Sequence, residues 1–193
     1  MVNVRVEGVA RAVNNLERFQ NKLRQEQKKN IREASVYLMN YIQRNKLSGQ
    51  VLSRRTGHLA GSIKYTVEES GTSFMGRVGS SLEYSAIHET GGTITAKRAK
   101  YLTIPLQSAM TPAGVVRKPA RKWADTFVRK ISNNLFIFSK ESGRPVPIFL
   151  LKKSVKIPKR PYIAPALEET KSKLIDIIKE AVEIAVRVGN GEG

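Results

Sequence analysis

The sequence predicts an α+β fold in which a long N-terminal helix and a C-terminal helix pack on an antiparallel sheet of about five to six strands. Apolar residues recur at helical spacing at both ends of the chain, whereas short segments between them alternate apolar and polar residues. The 193 residues, of which 40% are hydrophobic, are sufficient for a single domain over residues 1–193 with a buried core.

The N-terminal helix is expected to extend from about Val9 to Asn45, and a break near residues 25–29 remains an alternative. Its apolar residues lie three or four positions apart, which is typical of a helix with one packed and one solvated face. These residues are Val13, Leu16, Phe19, Leu23, Ile31, Ala34, Leu38, Tyr41 and Ile42. The spacing therefore predicts a long helix that covers the sheet.

The C-terminal helix is expected to begin near Ala166, after a stiff connector over residues 157–165 that contains three prolines. Glu168 and Glu169 would lie in its first turn, where the helix dipole favours acidic side chains. Its predicted packed stripe consists of Leu167, Leu174, Ile177, Ile178, Ala181, Val182, Ala185 and Val186. Residues 189–193 are rich in glycine and are expected to form a flexible tail.

Alternating segments between the two helices predict the strands of the sheet. Residues 62–67 and 74–78 flank a Ser-Gly-Thr-Ser turn and predict one antiparallel hairpin, and residues 135–138 and 146–151 predict a second. Further strands are expected at residues 2–6, 93–96 and 101–105. Residues 107–134 are expected to form an inserted arm within the domain.

The predicted arm contains Trp123, the only Trp of the chain, inside a basic segment. Trp123, Phe127 and Ile131 are each four positions apart, and this spacing predicts a helical segment. Two roles for Trp123 are open at this point. The indole can anchor a small core of the arm itself, or it can anchor an interface with a partner.

Positive charge is concentrated in the middle of the chain. The net charge is +18, and residues 101–163 hold 13 Lys or Arg against only Asp125 and Glu141, whereas residues 164–193 hold four against six acidic residues. A basic region of this kind favours an acidic partner, either nucleic acid or an acidic protein surface. The alternative is a solvated basic face without a specific partner.

The sequence predicts a protein without enzymatic activity, metal or cofactor. His88 and Glu89 are adjacent, and neighbours in a helical turn point about 100° apart, so they do not form a natural acid–base pair. The chain has no Gly-x-Ser-x-Gly, His-Glu-x-x-His or phosphate-binding Gly-Lys-Ser/Thr motif, and it lacks Cys. No signal peptide or membrane-spanning run is expected, which favours synthesis and use in a cytoplasm-like compartment.

Several residues are expected to shape the backbone and not to carry chemistry. Gly and Pro have special backbone conformations, and Thr is a common turn or cap residue. The predicted backbone-shaping residues are Thr56, Gly57, Gly91, Gly92, Pro158 and Pro161. Tyr84, His88 and Glu89 are expected to anchor the loop that bends at the two glycines.

Three sequence strings resemble a known family. Residues 47–52 followed by Arg-Thr-Gly-His-Leu at 55–59 form the first, and Tyr-Ser-Ala-Ile-His-Glu at 84–89 with the Gly pair and the run 100–106 form the second. The third is Ile-Pro-Lys-Arg-Pro-Tyr-Ile-Ala-Pro-Ala-Leu at 157–167. Their order is similar to that of the tail-completion, or head–tail joining, proteins of tailed phages and of the related Mu-type virion morphogenesis proteins. Ser85, Tyr162 and the insertion at 107–134 depart from the family pattern.

The resemblance covers about residues 9–185 and implies a structural virion protein at the neck of a phage or prophage particle. It implies a homo-oligomeric ring, six-fold with twelve-fold as the alternative, between the connector or stopper below the portal and the tail terminator or tail tube. No membrane partner is implied. Candidate contacts with ring neighbours, partners or packaged DNA are Arg55, Lys97, Arg98, Lys100, Arg117, Lys118, Arg121, Lys122, Trp123, Lys159 and Arg160. The alternative function is a non-specific nucleic-acid-binding protein that uses the basic central region.

Overall fold

The structure is a computed structural model that describes residues 8–189. The predicted strand at residues 2–6 lies outside the described residues, as does the tail from residue 190, and Gly189 is the last residue of the C-terminal helix. The chain divides into two compact units. Unit 1 is built from three separate stretches, of which the described parts are residues 8–52, 59–81 and 162–189, and unit 2 comprises residues 53–58 and 82–161.

Unit 1 consists of two long helices, a short helix and a hairpin. Its elements are α1 (Val9–Asn45), α2 (His58–Ser62, of which His58 belongs to unit 2), β1 (Ile63–Ser70), β2 (Ser73–Ser80) and α4 (Ile163–Gly189). The predicted long helix is confirmed without a break, and the first predicted hairpin is confirmed as an antiparallel pair that places Ile63 opposite Ser80.

The core of unit 1 collects apolar residues from every stretch of that unit. Its fully buried members are Leu38, Ile42, Leu47, Leu52, Ala60, Ile63, Tyr162 and Ala166. Residues 47–52 and 162–166 contribute to this core although 110 positions of sequence lie between them. The first and third strings behind the family resemblance therefore both supply packing residues to this core.

Polar contacts connect α1 to α4 and to the hairpin. The buried Asn30 amide donates a hydrogen bond to the Ile177 carbonyl at 2.6 Å, and Lys46 pairs with Glu169 at 2.6 Å. On the hairpin side, Arg24 forms an ion pair with Glu69. The Lys46 ammonium lowers the pKa of the Glu169 carboxyl, so this contact is retained at neutral pH.

Unit 2 contains six strands in two small sheets together with one helix of two turns. Its elements are α3 (Glu83–Thr90), β3 (Gly92–Thr95), β4 (Leu102–Pro105), β5 (Thr126–Ile131), β6 (Asn134–Ser139), β7 (Val146–Lys152) and β8 (Ser154–Ile157). Strands β4, β7, β6 and β5 form a four-stranded antiparallel sheet in that order, and β3 pairs with β8. The second predicted hairpin is thus confirmed as β6–β7.

The α+β class is confirmed, but the prediction of one sheet with five to six strands is wrong. The described residues form eight strands in three sheets of two, two and four. β8 was not predicted, because its four residues include Ser154 and Lys156 and carry no extended apolar alternation. Its partner β3 lies more than fifty positions earlier in the chain, and local periodicity contains no information about such pairing.

The prediction of a helix in the arm is also wrong. Phe127 and Ile131 lie on β5, the outermost strand of the four-stranded sheet, and Trp123 precedes this strand. The Phe127 ring stacks on that of Phe138 in β6 at a centroid distance of 5.4 Å. A spacing of four residues also returns to the same face of a strand, so it does not discriminate between the two structures.

Two details of the C-terminal helix differ from expectation. α4 begins at Ile163, so Glu168 and Glu169 lie after its first turn, while Pro165 lies within that turn, where a proline is tolerated. The predicted packed stripe is wrong in part: Ala181 and Ala185 are fully buried, but Ile178 and Val182 remain 41% and 50% exposed. Small residues occupy the buried face, and larger apolar residues beside them are left uncovered.

Candidate functional site

The predicted Gly-Gly bend terminates α3 in unit 2. The Gly91 amide donates to the Ile87 carbonyl at 2.9 Å, and Gly91 adopts a φ of 73° and a ψ of 176°, a positive-φ conformation that strains other residues. Gly92 then begins β3, which pairs with β8 so that Gly92 lies opposite Ile157. The chain therefore changes within two residues from a helix to a strand.

The connector after β8 lies directly on this bend. A Cβ atom placed on Gly91 would be 3.0 Å from the Lys159 amide nitrogen and 3.3 Å from the Ile157 carbonyl oxygen. The Arg160 amide donates to the His88 carbonyl at 2.8 Å. Gly91 is thus required by its backbone conformation and also by the close approach of a second backbone, a reason that the sequence alone did not reveal. Pro158 and Pro161 flank these two contacts in a segment that is neither helix nor strand.

His88 anchors the bend through its backbone carbonyl, and its imidazole has a different role from the one expected. The Nδ1 atom is buried and has no hydrogen-bond partner among the described residues. Burial of the ring, followed by the positive charge of Arg160, lowers the pKa of His88, so the ring is neutral at neutral pH. The Tyr84 ring meets the His88 ring edge-on at a centroid distance of 6.4 Å, and Glu89 lies on the same helix.

We expect acidification to destabilise the protein through His88. Its pKa in the folded chain is below the unfolded value of 6.5, so the unfolded chain binds the proton more strongly and stability falls as the pH drops below about 6.5. His88→Gln should remove this dependence. Urea titrations at about pH 7 and about pH 5 should therefore show a larger loss of unfolding free energy for the natural chain than for the variant.

Carboxyl groups do not confuse this comparison. Glu141 and the other shifted carboxyls have a pKa lowered from 4.5, so they also reduce stability as the pH approaches 5, but both chains contain them and their contribution cancels. Equal pH dependence of the unfolding free energy in the two chains would show that burial does not lower the pKa of the His88 imidazole.

Three of the predicted contact cations are already engaged within unit 2. The Arg55 guanidinium lies against the turn at Gly114, where an added Cβ would be 3.2 Å from Nε. Arg117 donates from Nε to the Met110 carbonyl at 3.0 Å. Lys118 pairs with Glu141 at 2.7 Å and lowers the pKa of that carboxyl. These side chains hold the arm together.

Trp123 is an anchor of the arm's own core. The half-buried ring packs on the cluster formed by Ala109, Ile148 and Phe149, and Nε1 donates to the Lys118 carbonyl at 3.0 Å. The Lys118 ammonium lies 4.5 Å from the ring centroid, within range of a cation–π interaction. Of the two roles that the sequence left open, the structure therefore supports the internal one.

The other predicted contact cations are exposed and have no carboxylate partner within residues 8–189. They occupy three segments: the loop between β3 and β4, the 3-10 turn Ala120–Lys122, and the connector. These residues are Lys97, Arg98, Lys100, Arg121, Lys122, Lys159 and Arg160. Only Lys100 has a ring contact, at 5.8 Å from the Tyr101 centroid. Their charges are available to an acidic partner.

Thr56 and Gly57 lie immediately before α2. The Thr56 hydroxyl accepts a hydrogen bond from the His58 amide at 3.4 Å, and Gly57 adopts a φ of 78°. A Cβ on Gly57 would lie 3.1 Å from the Arg54 side chain. These contacts are local and belong to unit 2.

Sequence analysis missed a basic groove in unit 1. The groove has a volume of about 730 Å³ and lies between α1 and β1, where Lys28, Lys29 and Arg32 meet the half-buried side chains of Tyr65 and Val67. The clustering of basic residues on α1 is visible in the sequence. The position of β1 beside them depends on packing, and no local pattern indicates it.

Among residues 8–189, no three His, Cys, Asp or Glu side chains come together as a potential metal-binding group. The described part of the chain likewise contains no helix whose length and apolar character would allow it to span a membrane.

A family profile described as the phage virion morphogenesis family matches residues 21–125, which is more than half of the chain. The match extends from α1 through the hairpin and α3 to the residue before β5. Neither the curated proteins nor the solved structures provide a significant match. The matched region contains the Thr56-Gly57 turn, the Gly91-Gly92 bend and the exposed loop with Lys97 and Arg98. The chain therefore belongs to the phage virion morphogenesis family.

Proposed function

We propose that this protein is a structural, non-catalytic virion component that joins the tail to the head connector of a tailed phage or prophage. In this function it forms a ring at the neck, six-fold or alternatively twelve-fold, after synthesis in the bacterial cytoplasm. The connector or stopper lies on one side and the tail terminator or tail tube on the other. The observation that carries the proposal is the family match over residues 21–125.

The proline-rich segment after β8 supports the proposal that, within this family, the protein joins the tail to the head. Residues 157–167 resemble the Pro-Arg-Pro motif of tail-completion proteins, although Lys159 stands between Pro158 and Arg160, and they lie beyond the matched region. In unit 2 the backbone of this segment is fixed on the Gly91 bend, while the side chains of Lys159 and Arg160 are exposed. A rigid backbone that presents free cations is suited to a defined contact with an acidic neighbour.

We expect reversal of two loop charges to interrupt the joining of heads and tails. Lys97→Glu with Arg98→Glu should weaken docking about 100-fold, because like charges at an interface cost on the order of 1–2 kcal/mol each. The measurement is the proportion of joined particles, counted by electron microscopy, in a phage that lacks the natural protein and is supplied with the variant. Separate filled heads and tails are the expected products.

A matched control tests whether joining depends on the position of the reversed charges or only on the net charge of the protein. Arg129→Glu with Lys130→Glu makes the same charge change on β5 in the same basic region. Normal joining with this control and failed joining with the loop variant support the proposal. Cryo-electron microscopy of the particle neck is the direct test, and a subunit absent from the neck or present only in the capsid shell contradicts it.

Non-specific nucleic-acid binding is the second candidate. It is favoured by the seven exposed candidate cations that have no carboxylate partner within residues 8–189. Duplex affinity that falls linearly with the logarithm of salt concentration, yet survives at about 0.2 M salt, would support this function. A purified subunit without such affinity that associates with connector or tail proteins would support the first.

A further inference from the structure

An exposed apolar strip runs along α4 in unit 1. Its members are Ile175, Ile178, Val182 and Val186, which are three or four positions apart and 41–50% exposed. The strip is distinct from the face that contacts α1, because that face uses the fully buried Ala181 and Ala185. Four large aliphatic side chains on one side of a helix form a surface of the kind that is buried when a helix binds a groove.

Three acidic side chains and one basic side chain, that of Lys179, lie beside the strip. Asp176, Glu180 and Glu183 are exposed on the adjoining side of α4, and within residues 8–189 none of them forms an ion pair. Two copies of this face would place acidic borders against each other, which disfavours pairing of α4 with α4. The acidic border instead matches a basic surface.

The groove between α1 and β1 provides such a surface within the same unit. Its volume of about 730 Å³ is large enough to receive several side chains, and Tyr65 and Val67 give it a partly apolar lining. Arg32 makes no ion pair in the described part of the chain, and Lys29 has only a 3.7 Å contact with Glu26. The groove therefore combines apolar surface with cations that are available for pairing.

We propose that the α4 strip of one copy docks into the α1–β1 groove of a second copy. Apolar side chains meet the lining at Tyr65 and Val67, and the acidic border faces Lys29 and Arg32. The two surfaces belong to different elements of unit 1. In a head-to-tail arrangement each copy uses its strip on one neighbour and its groove on the other, so the contact repeats as a closed ring requires. The contact deepens the proposed function, and its closure into a neck ring rests on that function.

Cross-linking of single-cysteine variants tests which surfaces meet, since the natural chain contains no Cys. Ile178→Cys labels the strip and Lys29→Cys labels the groove, and both positions are exposed. A short bismaleimide reagent should cross-link a mixture of the two variants into dimers containing one chain of each. Lys173→Cys, an exposed position on the side of α4 opposite the strip, is the control for random collision.

The proposal predicts cross-linking of Lys29→Cys with Ile178→Cys well above its cross-linking with Lys173→Cys. Circular dichroism of each variant should match that of the natural chain. Equally strong cross-linking of Ile178→Cys with itself would show that α4 pairs with α4 and would overturn the proposal. Failure of the strip and groove variants to exceed the control would also overturn it.

Charge exchange provides a second measurement. Lys29→Glu with Arg32→Glu should reduce self-association about tenfold in sedimentation experiments, and mixing with a Glu180→Lys, Glu183→Lys chain should restore it. The absence of restoration counts against the proposed pairing. These measurements identify the surfaces that meet in solution, whereas imaging of particle necks tests the location, so one proposal can fail while the other holds.

Discussion

Gly91→Ala is expected to lower the free energy of unfolding of unit 2 by about 2–4 kcal/mol, because two costs add at this position. The φ of 73° is positive, and the new methyl group would approach the backbone of Lys159 to 3.0 Å. Neither the α3 terminus nor the connector can move without loss of the hydrogen bond from Arg160 to His88. Urea unfolding followed by fluorescence of Trp123, the sole Trp and a residue of unit 2, measures the effect.

Gly143→Ala separates the cost of the backbone conformation from the cost of the steric contact. Gly143 has a similar φ of 77°, but a Cβ there has no neighbour within 4 Å. This control should lose only the conformational part, about 1–2 kcal/mol. A Gly91→Ala chain that is no less stable than Gly143→Ala would mean that the connector does not press on the bend.

Gly76→Ala is expected to destabilise unit 1 by about 1–3 kcal/mol through overpacking. A Cβ at this position of β2 would overlap the Ser35 hydroxyl of α1, and the Ile31 side chain lies 3.3 Å away. Ser35 is held there by a 2.7 Å hydrogen bond to the Ile31 carbonyl. The long helices of unit 1 dominate the far-ultraviolet circular dichroism signal, so thermal or urea unfolding observed in this way reports the change.

Removal of the Ser35 hydroxyl should restore part of the stability that Gly76→Ala removes. In the double variant Ser35→Ala, Gly76→Ala, the closest contact is gone, and we expect the two substitutions to be strongly non-additive. Gly79→Ala on the same strand has no atom within 4 Å of its added methyl and should be nearly neutral. Additive effects of Ser35→Ala and Gly76→Ala would show that α1 and β2 are not in close contact.

The sequence predicted those elements whose signal is local. α1 repeats its apolar spacing over many turns, and the β1–β2 and β6–β7 hairpins each join two alternating segments through a short turn. The pairing of β3 with β8 and the division into three sheets depend on contacts between distant residues. Such contacts are decided by packing, which a single sequence does not display.

The sequence predicted which residues lie at the candidate site better than it predicted what those residues contact. The positions of the charged residues in loops were readable, but the engagement of Lys118 by Glu141 was not. Similarly, the Gly pair predicted a bend, while the backbone of Lys159 against Gly91 gives the reason for it. The exposed part of α4 was missed because apolar residues were assumed to be buried. A helix with more apolar surface than one neighbour can cover leaves some of it in water.

The discontinuous construction of unit 1 has a consequence for synthesis on the ribosome. Leu38, Ile42 and Ile63 are made early, but the residues that complete their core, Tyr162 and Ala166, are made about a hundred positions later. During that interval the early apolar surface has no α4 to cover it, a delay typical of cores that depend on distant segments. A chain that stops before α4 lacks both the completed core and the apolar strip. The core of unit 1 is therefore completed, and the surface proposed for docking formed, only after α4 has been synthesised.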